Sequence, residues 1–392
     1  MQYSALRRLS FQGVVILLLS AMLVMSILIH LNLPQAEEDS EQKDISSDGL
    51  LVGAYYYPWW SGTKWDLADE YASESQIGEY NSRDVQVIDQ HIAWAKDCGI
   101  DFLAMSWWGL TPYWEDVTLR SHFLNSAQIN DMEFCILYES TGRLSSTGED
   151  AHIFEDTPEN EEILLNDFDY LADAYFDHPQ YFKVNDRPVV ILYVTRCFAN
   201  WGRWKDDKDN WHPGWEGIFA KLRANMATKG YDLYLVGDMV YWQEEEDISS
   251  NLLPFWLLDA VTGYNMHTSD EGKVKIAGSS PGIIDTEDFL RGVDNQYGMW
   301  KDTADKEGCN FVPGVMPGFN DSFYPGRNNP IIPRSPEFLA DFWQIAAKHI
   351  DSDVKMLMIT SFNEWFEDTQ IEPAHEYGLA YLDVITTCSQ NS

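Results

Sequence analysis

Residues Asp84–Gly109 read DVQVIDQHIAWAKDCGIDFLAMSWWG. Asp84 is a natural N-cap, and Val85, Ile88, Ile92 and Ala95 then recur at helical spacing. From Phe102 to Trp107 the pattern changes to an apolar, aromatic run suited to a strand. A helix followed at once by such a run is one unit of an α/β fold with parallel strands. The same alternation extends from Gly49 to the end of the chain. Strands are expected near Leu51–Tyr57, Phe102–Trp107, Glu133–Tyr138, Val189–Val194, Leu233–Gly237, Ala260–Tyr264, Phe311–Met316 and Met356–Thr360. Helical patterns fall between most of them, at Asp84–Asp97, Trp114–Gln128, Glu161–Phe176, Trp215–Lys229, Thr286–Asp305 and Pro336–His349. Pro336 after Ser335 suits a first helical turn, and Glu337 suits the helix dipole. The pattern predicts a (β/α)8 TIM barrel. A doubly wound open sheet is the alternative, but no GxGxxG or GxxxxGK(S/T) follows any strand, so nucleotide chemistry has no foothold.

The chain carries 63 Asp and Glu against 26 Lys and Arg, a formal charge of −37 over 392 residues. A surface this negative repels phosphate backbones and anionic headgroups, which excludes nucleic acid as a partner and disfavours anionic substrates. With 45% apolar residues the composition is globular. Five cysteines stand far apart without a CxxC pair, which removes zinc-ribbon and redox-motif readings.

Near the start, Arg7 and Arg8 precede an apolar run from Phe11 to about Leu33. That length suffices to cross a bilayer and exceeds the apolar part of a cleaved signal peptide. Residues 1–10 therefore read as a cytoplasmic basic end, 11–33 as a transmembrane signal-anchor, and 34–48 as an acidic flexible stem. Residues 49–392 form the expected catalytic domain. Basic residues stay cytoplasmic, which places that domain outside the cytoplasm or in a lumen. Cleavage of the segment would make the protein secreted.

Active sites of (β/α)8 barrels lie at the C-terminal ends of the strands. Those ends carry Tyr56, Tyr57 and Trp59; Trp107 and Trp108; Tyr138 and Glu139; Tyr193 and Arg196; Asp238; Tyr264, Asn265 and His267; Asn320; and Asn363, Glu364 and Glu367. Aromatic faces beside neutral hydrogen-bonding groups suit sugar rings. Tyr56, Trp59, Trp107, Trp108, Tyr138, Glu139, Tyr193, Asp238, Tyr264, Asn265, His267, Asn320 and Asn363 are accordingly candidate substrate contacts, and a neutral oligosaccharide is the expected partner.

Glu364 and Glu367 are the candidate catalytic pair. Three residues apart, they would point to opposite faces of a strand but become neighbours in a helical turn just beyond one. Carboxyl groups about 5–5.5 Å apart accompany retaining glycoside hydrolysis. Two acids that close resist double ionisation, so one would hold a proton.

The segment Ser361–Pro373, SFNEWFEDTQIEP, resembles the signature of glycoside hydrolase family 99, the endo-α-mannosidase family, and of its bacterial relatives. So do Val52–Trp59 (VGAYYYPW), Ile77–Tyr80, His91–Ala95, Ser106–Gly109, Tyr181–Val189 and Pro317–Asn320. The resemblance implies a (β/α)8 barrel, retaining cleavage within α-mannosidic chains, and an anchored Golgi-type topology for animal members. It further implies that Glu364 deprotonates the sugar's own 2-hydroxyl, which attacks the anomeric carbon, while Glu367 serves as acid and then base. Neither role needs a metal or an organic cofactor. Two positions depart from the family pattern. Phe366 stands where His is common, and Asp368, where animal enzymes have Gly, would set a third carboxylate beside the pair and raise a neighbour's pKa.

Other signals carry less. His152, His178, His212 and His267 make no HxH or HExxH spacing. Glu244–Asp247 and Asp206–Asp209 read as solvated acidic loops. Asn320-Asp321-Ser322 matches a glycosylation sequon but falls among the expected site loops. Beside the hydrolase reading stand a non-catalytic glycan-binding barrel and a polysaccharide-assembly factor.

Overall fold

The computed structural model describes residues 49–68, 70–110, 114–147, 153–199, 214–239, 255–264, 282–327 and 329–391. The proposed anchor and stem lie outside them. Among the described residues no helix is long and apolar enough to cross a membrane.

Nine parallel strands form a nearly closed barrel: β1 (Leu51–Tyr56), β2 (Phe102–Trp107), β3 (Glu133–Tyr138), β4 (Arg187–Leu192), β5 (Tyr234–Asp238), β6 (Ala260–Thr262), β7 (Asn310–Val312), β8 (Gly314–Val315) and β9 (Met356–Ile359). Each of β1 to β6 pairs with the next, β7 pairs with β6, β8 with β9, and β9 with β1. Only Pro313 separates β7 from β8. Proline has no N–H to donate, so one expected strand divides there and changes neighbour. Counting that pair as a single stave leaves eight, consistent with a TIM barrel. Strands covered on both faces read as unbroken apolar runs, and β2, FLAMSW, is buried throughout.

Helices wrap the barrel: α1 (Val85–Asp97), α2 (Trp114–Ser121), α3 (Pro158–Leu171), α4 (Gly214–Thr228), α5 (Thr286–Glu307), α6 (Pro336–Ala347) and α7 (Ala380–Asn391). Asp84 caps α1 by accepting from the Gln86 N–H at 2.9 Å. Ser335 caps α6 by accepting from Phe338 N–H at 3.0 Å, with Pro336 in its first turn. α2 is shorter than its pattern suggested, giving way to a 3-10 turn at Phe123–Asn125. α7 was not expected. All five cysteines are buried in the hydrophobic core.

Side-chain alternation along the strands decides what reaches the barrel interior. In β1, Gly53, Tyr55 and Tyr57 face inward. A Cβ on Gly53 would stand 2.2 Å from Phe102 and 2.7 Å from Met358, so the interior has no room for a side chain there. Tyr55 meets Tyr264 of the opposite wall edge to face at 4.8 Å. Tyr56, between them, points outward into the helical layer.

Candidate active site

The chain beyond β9 folds back on itself. Ser361 donates its N–H to Thr369 O at 2.8 Å and accepts from Ile371 N at 2.9 Å, while Glu372 N reaches Phe362 O at 2.9 Å. Beneath this loop the wholly buried Glu372 accepts from Ser75 Oγ and Tyr80 OH, both at 2.8 Å, and from Trp365 Nε1 at 3.0 Å. Trp60, Trp65, Trp365 and Phe366 pack with Tyr80 into an aromatic cluster under the same turn. Glu364 and Glu367 are thus carried on a tight turn with a rigid floor, as the spacing required.

The two acids share one electrostatic site. Glu364 is buried; its Oε1 accepts from Phe366 N–H at 3.0 Å, and its own N–H donates to Ser361 Oγ at 2.8 Å. Burial, with the charge of Glu367 adding to it, pushes its carboxyl up to about 8, against the pull of Lys64 and Arg327. Glu367 is partly open: Arg327 Nη1 lies 3.2 Å from Oε1, and Tyr264 OH donates to Oε2 at 3.2 Å. Tyr57 OH in turn donates to Tyr264 OH at 2.5 Å. Burial raises both phenols well above their usual range, so they remain donors. The backbone carbonyl of Glu367 accepts from Asn320 N at 2.8 Å.

A third carboxylate, Glu139, stands at the end of β3. Burial lifts it to about 8, and Ser106 Oγ donates to its Oε1 at 2.6 Å. The same hydroxyl receives Trp108 Nε1 at 3.0 Å. Trp108 lies 6.2 Å from Trp59, which lies 4.5 Å from Tyr57, ring centre to ring centre. Gly142 makes room for Trp108, since a Cβ there would come within 2.3 Å of the indole. Asp238 Oδ1 accepts from Tyr264 N at 2.8 Å, and Tyr193 meets the Tyr264 ring edge to face at 5.9 Å. Protonated and ionised carboxyls, phenols and indoles therefore converge on one mouth of the barrel, an arrangement suited to acid–base chemistry on a sugar.

Glu364, Glu367, Trp59, Trp108, Glu139, Tyr193, Asp238 and Tyr264 gather here as the sequence suggested. Four candidates do not. Tyr56 sends its hydroxyl outward to His91 Nδ1 at 3.0 Å, Trp107 donates to Asp116 at 3.0 Å, and Tyr138 donates to Asp167 at 2.9 Å. Each is one strand position out of phase, and such a step moves a side chain to the other face of the sheet. Asn363 is wholly buried, with both ends of its amide bonded to the Tyr57 backbone. Asn320 contributes its backbone, while its side-chain Oδ1 accepts from Ser322 N–H at 3.2 Å, closing an Asx turn, and from Ser322 Oγ at 2.7 Å. Asn265 and His267 lie outside the described residues, as do the acidic loops at 206–209 and 244–247 and the side chain of Arg196.

Asp368 does not join the acid pair. Its carboxylate is taken by Arg334, and the causes that raise Glu364 are burial and Glu367. Lys64, Ser106, Glu115 and Arg327 were not anticipated. Strand parity would have found Ser106; Lys64 on the short helical turn Gly62–Trp65, Glu115 in the first turn of α2 and Arg327 on a loop return to the site without a local mark. Among the described residues no group of three or more His, Cys, Asp or Glu is arranged to hold a metal ion.

The model of a family described as "Glycosyltransferase WbsX" matches residues 72–385. A Xenopus laevis glycoprotein endo-alpha-1,2-mannosidase is 23% identical over 341 residues, which cover 82% of this chain and 59% of that protein. The Mus musculus counterpart is 21% identical over 322 residues, covering 79% and 58%. The chain thus spans under two thirds of the length of these curated relatives. A solved GH99 endo-alpha-mannosidase from Bacteroides thetaiotaomicron superposes with a TM-score of 0.56 at 19% identity, over 87% of this chain and 96% of that one. A structure titled "Glycoside hydrolase-like protein" gives 0.62 at 19% identity, over 87% and 94%. At such identities the structural likeness concerns the fold. The matches together bear out the resemblance to glycoside hydrolase family 99 carried by Ser361–Pro373.

Proposed function

The chain belongs to the family described as glycosyltransferase WbsX, and from that premise we propose that it is a retaining, endo-acting glycoside hydrolase of α-mannosidic glycans. The observation that carries this reading is the charge coupling of Glu364 and Glu367 on one turn at the barrel mouth, with Glu364 held up to about 8. Such a pair titrates as a unit and keeps one proton near neutral pH. In the reactive form of the pair that proton stands on Glu367, and Glu364, ionised, takes the proton of the substrate 2-hydroxyl in the first step. The freed oxygen attacks the anomeric carbon, and the bond to the leaving oxygen breaks as Glu367 protonates it. In the second step Glu367 takes a proton from water, whose oxygen attacks the same carbon. The three-membered ring opens and its oxygen recovers the proton from Glu364. Tyr264 and Arg327 hold Glu367 in place throughout, and the indoles of Trp59 and Trp108 offer stacking faces for the sugar.

The family description favours one variant of this chemistry, in which a second sugar's hydroxyl replaces water in the second step. Incubating the full chain with α-mannan and N-glycan oligosaccharides in 18O-labelled water separates the two. Hydrolysis places one labelled oxygen at each new reducing end, whereas transfer yields longer unlabelled products. Glu364→Gln and Glu367→Gln should each lower turnover by ~10²–10⁴-fold while leaving the protein folded. Parental rates in both variants, or glycan binding without cleavage or transfer by the parent, would overturn the proposal; the latter result describes a glycan-binding barrel. We further propose that the apolar run Phe11–Leu33 anchors the protein with this domain outside the cytoplasm. Extraction of the full chain from membranes by salt alone would refute the anchor.

A further inference from the structure

Glu372 takes no part in the chemistry above, yet it is a wholly buried carboxyl set beneath the acid-bearing turn. Partners from three separate segments meet on it. Ser75 Oγ donates to Oε1, while Tyr80 OH and Trp365 Nε1 both donate to Oε2. From α1, His91 Nε2 stands 3.4 Å from Oε1, within ion-pair reach although it closes no hydrogen bond. Tyr56 OH backs that imidazole on its other nitrogen, at 3.0 Å. An indole N–H can only donate, so the turn requires an acceptor at this point. Replacing a buried charged group by an apolar one of like volume is often neutral for stability. The carboxylate is therefore better accounted for by the geometry it imposes than by any stability it adds, since a satisfied polar network rigidifies its surroundings.

Two of these partners lead to Glu364, one from each side along the chain. Trp365 follows it directly. Asn363 precedes it and donates through Nδ2 to Tyr80 OH at 3.3 Å. The backbone adds a third tie, from Glu372 N–H to Phe362 O at 2.9 Å. We infer that Glu372 is a positioning residue for Glu364: its carboxylate, gripping Trp365 directly and Asn363 through Tyr80, fixes where the base of the acid pair stands. The role of that base rests on the hydrolase reading above. Glu372 works through structure rather than through its field, because the charges that act most on Glu364 are those of Glu367, Lys64 and Arg327.

The test uses the full chain and the glycans of the hydrolase assay. Trp365→Phe and Tyr80→Phe each cut one tie and leave the carboxylate in place. Each should lower kcat about tenfold and the double variant about 100-fold, with KM within about threefold of the parent, because a displacement near 1 Å is felt in the chemical step. Glu372→Met removes every side-chain acceptor and should lose at least as much as the double variant. Glu372→Gln keeps one oxygen for Trp365 and Tyr80 and should recover about tenfold of that loss. A purely structural role would lower the melting temperature and leave kcat of the folded variants at the parent value. That result overturns the proposal.

A second measurement needs no turnover. The carboxyl carbon of Glu364 can be followed by 13C NMR in glutamate-labelled protein and identified by its absence from Glu364→Gln. In the parent it should titrate at about 8, through burial and the charge of Glu367. Both causes depend on a closed turn, so the double variant should titrate at least about one pH unit lower. Where the double variant does not fold, the single ones carry both measurements. An unchanged titration in folded variants overturns the positioning role. A lowered titration in a protein that cleaves no glycan supports that role and refutes the hydrolase reading alone.

Discussion

The side-chain amide of Asn363 clasps the peptide of Tyr57 from both sides, accepting from its N–H at 2.7 Å and donating to its carbonyl at 3.1 Å. Trp60 Nε1 returns the contact by donating to Asn363 O at 2.9 Å. The first stave and the acid-bearing turn are thereby fastened together across 306 positions of sequence. Tyr57 begins the hydroxyl relay that ends on Glu367, so the clasp sets both ends of that relay.

Replacing Asn363 with Ala removes the partners of a buried N–H and a buried carbonyl. Each such group costs about 1–3 kcal/mol when left unpaired. Asn363→Ala should therefore lower stability by ~2–4 kcal/mol in urea unfolding, and turnover should fall because Tyr57 loses its register with Tyr264. A change below about 0.5 kcal/mol with parental turnover would show that the clasp does not position the site.

The acid pair predicts an alkaline limit to activity. The pair gives up its shared proton at about pH 8, the value to which burial and the charge of Glu367 push Glu364. Turnover should decline above that pH as the pair becomes fully ionised. Lys64 and Arg327 both favour the charged form of Glu364. Lys64→Met and Arg327→Met should accordingly move the alkaline limb upward, by about one pH unit. A limb that stays in place, or moves down, in pH profiles of kcat would contradict the electrostatic account.

Much of this site was readable from residues alone, because the signals were local. Asp84 and Ser335 mark helix starts through chemistry contained within one turn, and the Glu364–Glu367 spacing announces a pair wherever the backbone turns. The parity of strand ends was harder. VGAYYYPW places three tyrosines in a row, and only the register against β2 and β9 decides that Tyr55 and Tyr57 face inward while Tyr56 faces His91. Trp107 and Tyr138 were misplaced for the same reason, since both faces of these strands are buried and hydropathy does not distinguish them. Lys64 comes from a short helical turn, Glu115 from the first turn of α2 and Arg327 from a loop, and their part in the site depends on long-range closure of the barrel.

Stability should fall as pH rises through the weakly acidic range. Burial lifts Glu139 and Glu364 from 4.5 to about 8 in the folded protein. Below 4.5 both states are protonated. Between 4.5 and 8 the unfolded chain gives up protons that the folded chain retains, and the stabilisation is lost progressively as pH approaches the folded value. Each unit of difference corresponds to about 1.4 kcal/mol per group. Glu139→Gln and Glu364→Gln should each flatten the decline of the urea midpoint between pH 5 and 8. An unchanged slope in both variants would mean that these carboxyls are not held protonated.

Asp368 tests whether the neighbouring carboxylate is structural or catalytic. It adopts a left-handed backbone, φ 50°, which Asp and Asn tolerate better than other side chains. Arg334 grips its carboxylate, donates to its carbonyl at 3.2 Å, and reaches Gln370 O at 2.7 Å through Nη2. Gln370 Nε2 adds a bond to Asp368 Oδ1 at 3.3 Å. Removing the charge from this buried pair leaves the guanidinium with neutral acceptors only, at a cost of about 2 kcal/mol or more. Asp368→Asn should lower the urea midpoint and leave the alkaline limb of kcat where the parent has it, because Arg334 already neutralises the carboxylate. Asp368→Gly should lose at least as much stability although glycine suits the backbone, since it removes the oxygen that Arg334 binds. A limb displaced downward in Asp368→Asn without loss of stability would instead return this carboxylate to the catalytic group.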